Sequence, residues 1–140
     1  MINTSNGHIQ LPSYELTPEL DTTELLQHLG AELNIQDMQT DWKWVTINSV
    51  ELSELTFNFR LGFLNDKLTQ LYFTFDTNES ANWEAWNKAA ELKKLELYQS
   101  WLKSELGANR EFIWGTVIAS FDGKAGFSSV MIIYNQDKRA

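Results

Sequence analysis

Two histidines, His8 and His28, supply all the imidazole in this chain, and it holds no cysteine. A Ser–His–acid site needs a histidine held between a nucleophile and an orienting carboxylate. His8 falls in a polar N-terminal stretch. His28 follows Glu24 by four residues beside a short leucine stripe, where a surface ion pair is the expected role. The chain has neither a Gly-x-Ser-x-Gly elbow nor His-Glu-x-x-His spacing. Gly123 and Gly126 sit in a hairpin loop, not ahead of a helix as a phosphate cradle requires. The run "DTNES" offers Asp76, Asn78 and Glu79 but lacks the glycine and distal glutamate of a calcium loop. Among 19 acidic residues some pair always stands at the separation used in glycoside hydrolysis, so such a pair has no specificity. No catalytic residue, metal-ligand set or cofactor site is expected.

Binding chemistry is better represented. The stretch "DMQTDWKWVTINSVELSE" fills residues 37–54 and sets Trp42 and Trp44 two apart, on one face if the segment is a strand. Asp37, Asp41, Glu51 and Glu54 surround them. Thr46 and Asn48 continue the tryptophan face, while Val45 and Ile47 form the opposite, aliphatic one. The aliphatic pair suits a core. The indoles are open to two readings: core beneath a covering helix, or a half-exposed docking surface, since Trp is enriched at interface hot spots. The candidate partner-binding residues are therefore Asp37, Asp41, Trp42, Trp44, Glu51 and Glu54.

Charge supports the second reading. Nineteen acids against eleven bases give −8, and residues 15–54 alone hold nine acids with one base, Lys43. The rest of the chain balances. Such a field disfavours nucleic acid and anionic membrane and steers a basic protein toward the N-terminal half. Its plainer use is solubility.

The elements that must position these residues follow from periodicity. "LDTTELLQHLG" reads as a helix capped by Asp21, with Glu24 completing a capping box and Gly30 as the stop. Residues 42–50, "LTFNFRLGF" at 55–63 and "KLTQLYFTF" at 67–75 read as strands, with a turn at Asn65–Asp66. Three strands so closely joined predict an antiparallel meander. Residues 77–107 read as a long helical region from Ser80 to Gly107, either gently bent or broken near residue 92. Trp83 and Trp86, and Leu95, Tyr98 and Leu102, have core spacing, and Trp101 is also assigned to the core. "FIWGTVIASF" and "GFSSVMIIY" read as a final hairpin around "DGKAG". In it Gly115 would allow a close approach beside a structural Trp114. The expected fold is α+β: one domain over 1–140, with a loose segment at 1–12. Its order is helix, three strands, long helix, two strands, giving an antiparallel sheet of about five strands packed against helices.

A helix closing in "LG", then "WG", a strand, "DGKAG", a strand and Tyr134 resembles small uncharacterised bacterial proteins of toxin–immunity type, mainly over residues 95–134. The same helix, "LG", Trp and sheet sequence more distantly resembles the β-lactamase-inhibitor-like fold shared with small outer-membrane assembly lipoproteins. The polar start "MINTSNGHIQ" and the lack of a lipid-bearing cysteine argue against the lipoprotein form. No functional residue carries over from either. The first resemblance implies a non-catalytic inhibitor acting on a toxin. The expected function is a cytosolic, immunity-type binding protein that occludes a basic partner, with no nucleic acid or membrane involved. A small-ligand or peptide scaffold with its pocket between sheet and long helix is the alternative, and a hydrolase stands behind both.

Overall fold

The computed structural model describes residues 2–12, 14–29, 34–37, 41–52, 54–76, 88–122 and 127–135. Its elements run β1 (Ile9–Gln10), β2 (Glu15–Leu16), α1 (Thr22–Leu29), β3 (Asn34–Asp37), β4 (Trp42–Leu52), β5 (Leu55–Leu64) and β6 (Lys67–Asp76). Then follow α2 (Lys88–Leu106), β7 (Glu111–Phe112), β8 (Gly115–Asp122) and β9 (Phe127–Tyr134). β1 and β2 pair as a small hairpin. The other seven form one antiparallel sheet in the order β3-β4-β5-β6-β9-β8-β7. The α+β class and the β4–β5–β6 meander match expectation, but the sheet of about five strands becomes one of seven among the described residues. The order gains a hairpin before α1, β3 before the meander and β7 before the last hairpin. At two to four residues each, these additions are too short to show periodicity; pairing with a longer neighbour holds them.

Local chemistry sets the ends of the elements. The Asp21 carboxylate accepts from the Glu24 amide at 2.8 Å, so the expected cap is in place at α1. α2 stops at Gly107, whose φ of +77° lets its amide reach back to the Lys103 carbonyl. Asn65 and Asp66 both adopt positive φ, as a two-residue type I′ hairpin turn requires. Gly30, Ser80, Trp83, Trp86, Gly123 and Gly126 lie outside the described residues, as does the side chain of His28.

Two irregularities decide which residues share a face. In β4 the register shifts between Ile47 and Val50, where Ser49 has φ 61° and its amide donates to the Asn58 side chain at 3.0 Å. Val50 and Leu52 thereby rejoin the face of Val45 and Ile47, and Glu51 turns to the other side. In β6 a shift beside Gly62 and Phe63 leaves Thr69 as the extra residue, so Leu68 and Leu71 keep to one face.

That face is the covered one. Val45, Phe57, Phe59, Leu61, Phe73, Phe75, Val117, Val130 and Ile132 are buried along it. α2 lies across them: Tyr98 meets Phe75 at 4.8 Å, and Trp101 packs at 5.3–6.0 Å on Phe57, Phe73 and Phe75. Glu91, itself buried, accepts from the Ser128 amide at 3.0 Å and fastens α2 to β9. The N-terminal segment joins the same core. Ile2, Ile9 and Leu11 are buried rather than loose. The Trp114 indole donates to the Thr4 carbonyl at 2.9 Å, and the Tyr134 hydroxyl to the Gly7 carbonyl at 2.8 Å. Gly7 is required there, because a side chain would run into the Trp114 ring. Gly115 likewise brings the Ile133 carbonyl too close for any Cβ.

Candidate partner-binding surface

The opposite face of the sheet is uncovered by any described element. Cross-strand register lays its side chains out in rows. One row runs Trp44, Gly62, Gln70, Ile133 and Thr116. The next runs Thr46, Arg60, Tyr72, Met131 and Ile118. Trp42 and Trp44 are neither sealed in the core nor loose. They are half-buried and stacked, with ring centroids 5.8 Å apart and planes 9° from parallel. Arg60 places its guanidinium 4.6 Å from the Trp44 ring centroid, and Tyr72 tilts against the same indole at 6.0 Å. Gly62 makes room beneath, since a Cβ there would stand 2.8 Å from two Trp44 ring atoms.

Beyond Trp44 the face opens into a groove of about 520 Å³ lined by Arg60, Tyr72, Ser120, Asp122, Phe127, Ser129 and Met131 as well. Phe127 is 56% exposed, and Ile118 and Ile133 on the same face are also exposed. Polar and apolar groups alternate along it and offer stacking, cation–π contact and hydrogen bonding.

The expected site residues are strung along β4 rather than clustered. Asp41 is exposed in the bend beside Trp42, and its carbonyl accepts from the Asn65 amide. Asp37 lies in β3 directly across from Lys43. Glu51 is exposed on the open face at the far end of β4, roughly 20–25 Å from Trp44 at about 3.3 Å per residue. Glu54 is exposed in the following turn with φ 67°. Two other acids of the early segment have local partners: Glu15 meets His8 at 2.7 Å, and Asp21 caps α1. Lys43, on the covered side, pairs with Asp66 at 3.0 Å. That lysine and the Thr22 hydroxyl hold the Asp66 carboxyl below its ordinary value.

Arg60, Tyr72, Met131 and Phe127 were not among the residues expected from the sequence. Arg60 was legible as a polar position opposite the phenylalanines of β5. Tyr72 required the β6 bulge, whose signal is the odd spacing from Leu68 to Leu71.

Among the described residues, no group of three or more His, Asp or Glu side chains is placed to hold a metal ion. No described helix is long and apolar enough to cross a membrane. Neither a family model nor a curated protein matches this sequence. In structure, the chain is similar to one chain of the complex of Rhs1-CT with its cognate immunity protein RhsI1. The TM-score is 0.57 at 12% identity, covering 99% of this chain and 91% of the other. The likeness is one of fold.

Proposed function

We propose that this is a non-catalytic binding protein of immunity type, which occludes a basic partner protein with the open face of its sheet. The observation that carries the proposal is the pair of stacked, half-exposed indoles on a face no described element covers. Large apolar patches left open on a folded domain mark interaction sites, and rigid aromatic anchors lose little entropy on binding. The fold shared with a chain of a protein–immunity-protein complex supports the same reading. The early acids give it an electrostatic sense. Asp41 lies beside the tryptophans at one end of β4 and Glu51 and Glu54 at the other, so the acids draw an approaching basic surface to β4 and Asp41 draws it toward the indoles. In this proposal Trp42 and Trp44 anchor, the acids including Asp37 steer, and the encounter takes place in the cytosol with a toxin as the partner.

A peptide-binding scaffold is the second reading, favoured by the groove beside Trp44. Its pocket would then lie on the open face, because Phe57, Phe73, Phe75, Tyr98 and Trp101 fill the space between sheet and α2.

The test is capture of a basic protein by the immobilised full chain, and loss of that protein's toxicity once it is bound. Co-elution at low salt that weakens as salt rises is expected, because screening shortens the reach of the steering field. Asp41→Lys with Glu51→Lys should abolish capture while the circular dichroism spectrum is kept. Capture insensitive both to salt and to that double variant would overturn the proposal.

A further inference from the structure

The groove on the open face has a composition of its own. Its walls are apolar at Trp44, Tyr72, Phe127 and Met131, while Arg60 and Asp122 contribute one charge of each sign. A group entering it meets almost no net local charge. Arg60 is already placed over Trp44. The acids stand outside the groove, with Asp41 beside Trp42 and Glu51 on the same face at the other end of β4. At about 520 Å³ the groove is larger than one side chain needs and falls within the usual range of ligand clefts, about 300–1,000 Å³.

We infer that the groove receives a short extended segment of the basic partner, inserting one apolar or aromatic side chain between Trp44, Tyr72 and Phe127 with basic residues on either side of it. This deepens the proposed function and rests on it. An apolar centre meets the neutral aromatic walls, and basic residues about four positions to each side of it reach toward Asp41 and Glu51. Charge also argues against a second copy of this chain as occupant, since pairing two copies opposes −8 to −8. Arg60 and Gly62 serve as positioning residues: one covers the Trp44 ring and the other lets it lie flat, so the anchor is set before the partner arrives.

Three capped nine-residue peptides, long enough to reach from the Asp41 end of β4 to Glu51 at about 3.3 Å per residue, test this without the partner in hand: acetyl-Lys-(Gly)3-Phe-(Gly)3-Lys-amide, the same peptide with alanine for phenylalanine, and the same peptide with glutamate for both lysines. Each is titrated to millimolar concentration against the full chain while the Trp44 indole and Met131 methyl resonances are followed. The lysine-and-phenylalanine peptide should shift both signals saturably and bind tighter than the other two. Gly62→Ala or Arg60→Met should weaken it while the remaining methyl spectrum stays folded. Equal binding of the alanine peptide, equal or tighter binding of the glutamate peptide, shifts located elsewhere, or no shift at all would overturn the inference. So would self-association that the same variants abolish. Failure with these peptides while a basic protein captured by the full chain still binds would leave the proposed function standing with a different contact surface.

Discussion

The two faces of the sheet are built from different aromatics, and the difference separates stability from recognition. Beneath α2 the rings are mostly phenylalanines, sealed from water and packed on one another at 5.2–5.9 Å. On the open side tryptophan and tyrosine, each joining an apolar body to a polar tip, stand in contact with an arginine, and one phenylalanine, Phe127, lies in the groove beyond them. Phenylalanine fills a core without requiring a partner for a polar atom. Tryptophan and tyrosine tolerate a wet boundary and still offer a large, rigid area to whatever docks. An antiparallel sheet with one solvated face permits this division, and strict alternation along β5 enforces it.

Neighbouring positions on β6 give the largest contrast. Phe73 faces α2 and Tyr72 faces solvent. Phe73→Ala should cost about 3–5 kcal/mol in urea unfolding, from lost burial and the cavity left behind. Tyr72→Ala should cost less than about 1 kcal/mol, the scale of a cross-strand contact, yet weaken partner binding. Equal losses for the two would show that something else covers the open face.

The covered side is also closed by its N-terminal segment, where the expected effect is smaller. Tyr134→Phe leaves the Gly7 carbonyl without its buried donor, a loss of about 1–3 kcal/mol. Hydrogen exchange at residues 2–11 should accelerate more than at β5. A uniform change across the sheet would deny the segment its local role.

Much of the covered face was legible in the sequence, because apolar residues at period two in β5 and at helical spacing around Tyr98 and Leu102 can serve few other ends. In β4 the sequence separated Trp42 and Trp44 from Val45 and Ile47 but left open whether the indoles were core or surface. Completing the open face required long-range pairing: Tyr72 stands across from Arg60 only because β6 carries an extra residue. A regular hairpin around Asn65–Asp66 would have set Leu71 there instead. The N-terminal closure left no periodic trace at all. Ile2, Thr4 and Gly7 are held by hydrogen bonds to residues more than 100 positions away, Glu105, Trp114 and Tyr134.

Gly62→Ala probes the open face with little expected cost in stability. The added methyl must displace the Trp44 ring, separating it from Trp42 and Arg60. Near-ultraviolet circular dichroism from the stacked indoles should diminish while the unfolding midpoint hardly moves. A large fall in the midpoint would mean that the Trp44 stack supports the fold as the phenylalanines do.

The smallest effect is expected at the rim, where the β5–β6 turn joins the two faces. Asp66 accepts from Lys43 and from Thr22 at 3.0 Å each, and these contacts hold its carboxyl below the ordinary 3.8. A carboxylate whose pKa is lowered by folding adds stability that is complete above its unfolded value and disappears as pH falls through the folded one. The Asp66 side chain is exposed, so solvent screens the pair and the gain is slight. Asp66→Asn should therefore melt slightly below the parent at neutral pH. The gap should stay constant down to the ordinary carboxylate range and close below it. Lys43→Met should narrow the same gap, because the lysine is the larger cause of the shift. A gap that persists unchanged into strong acid would assign the Asp66 contribution to turn geometry rather than to charge.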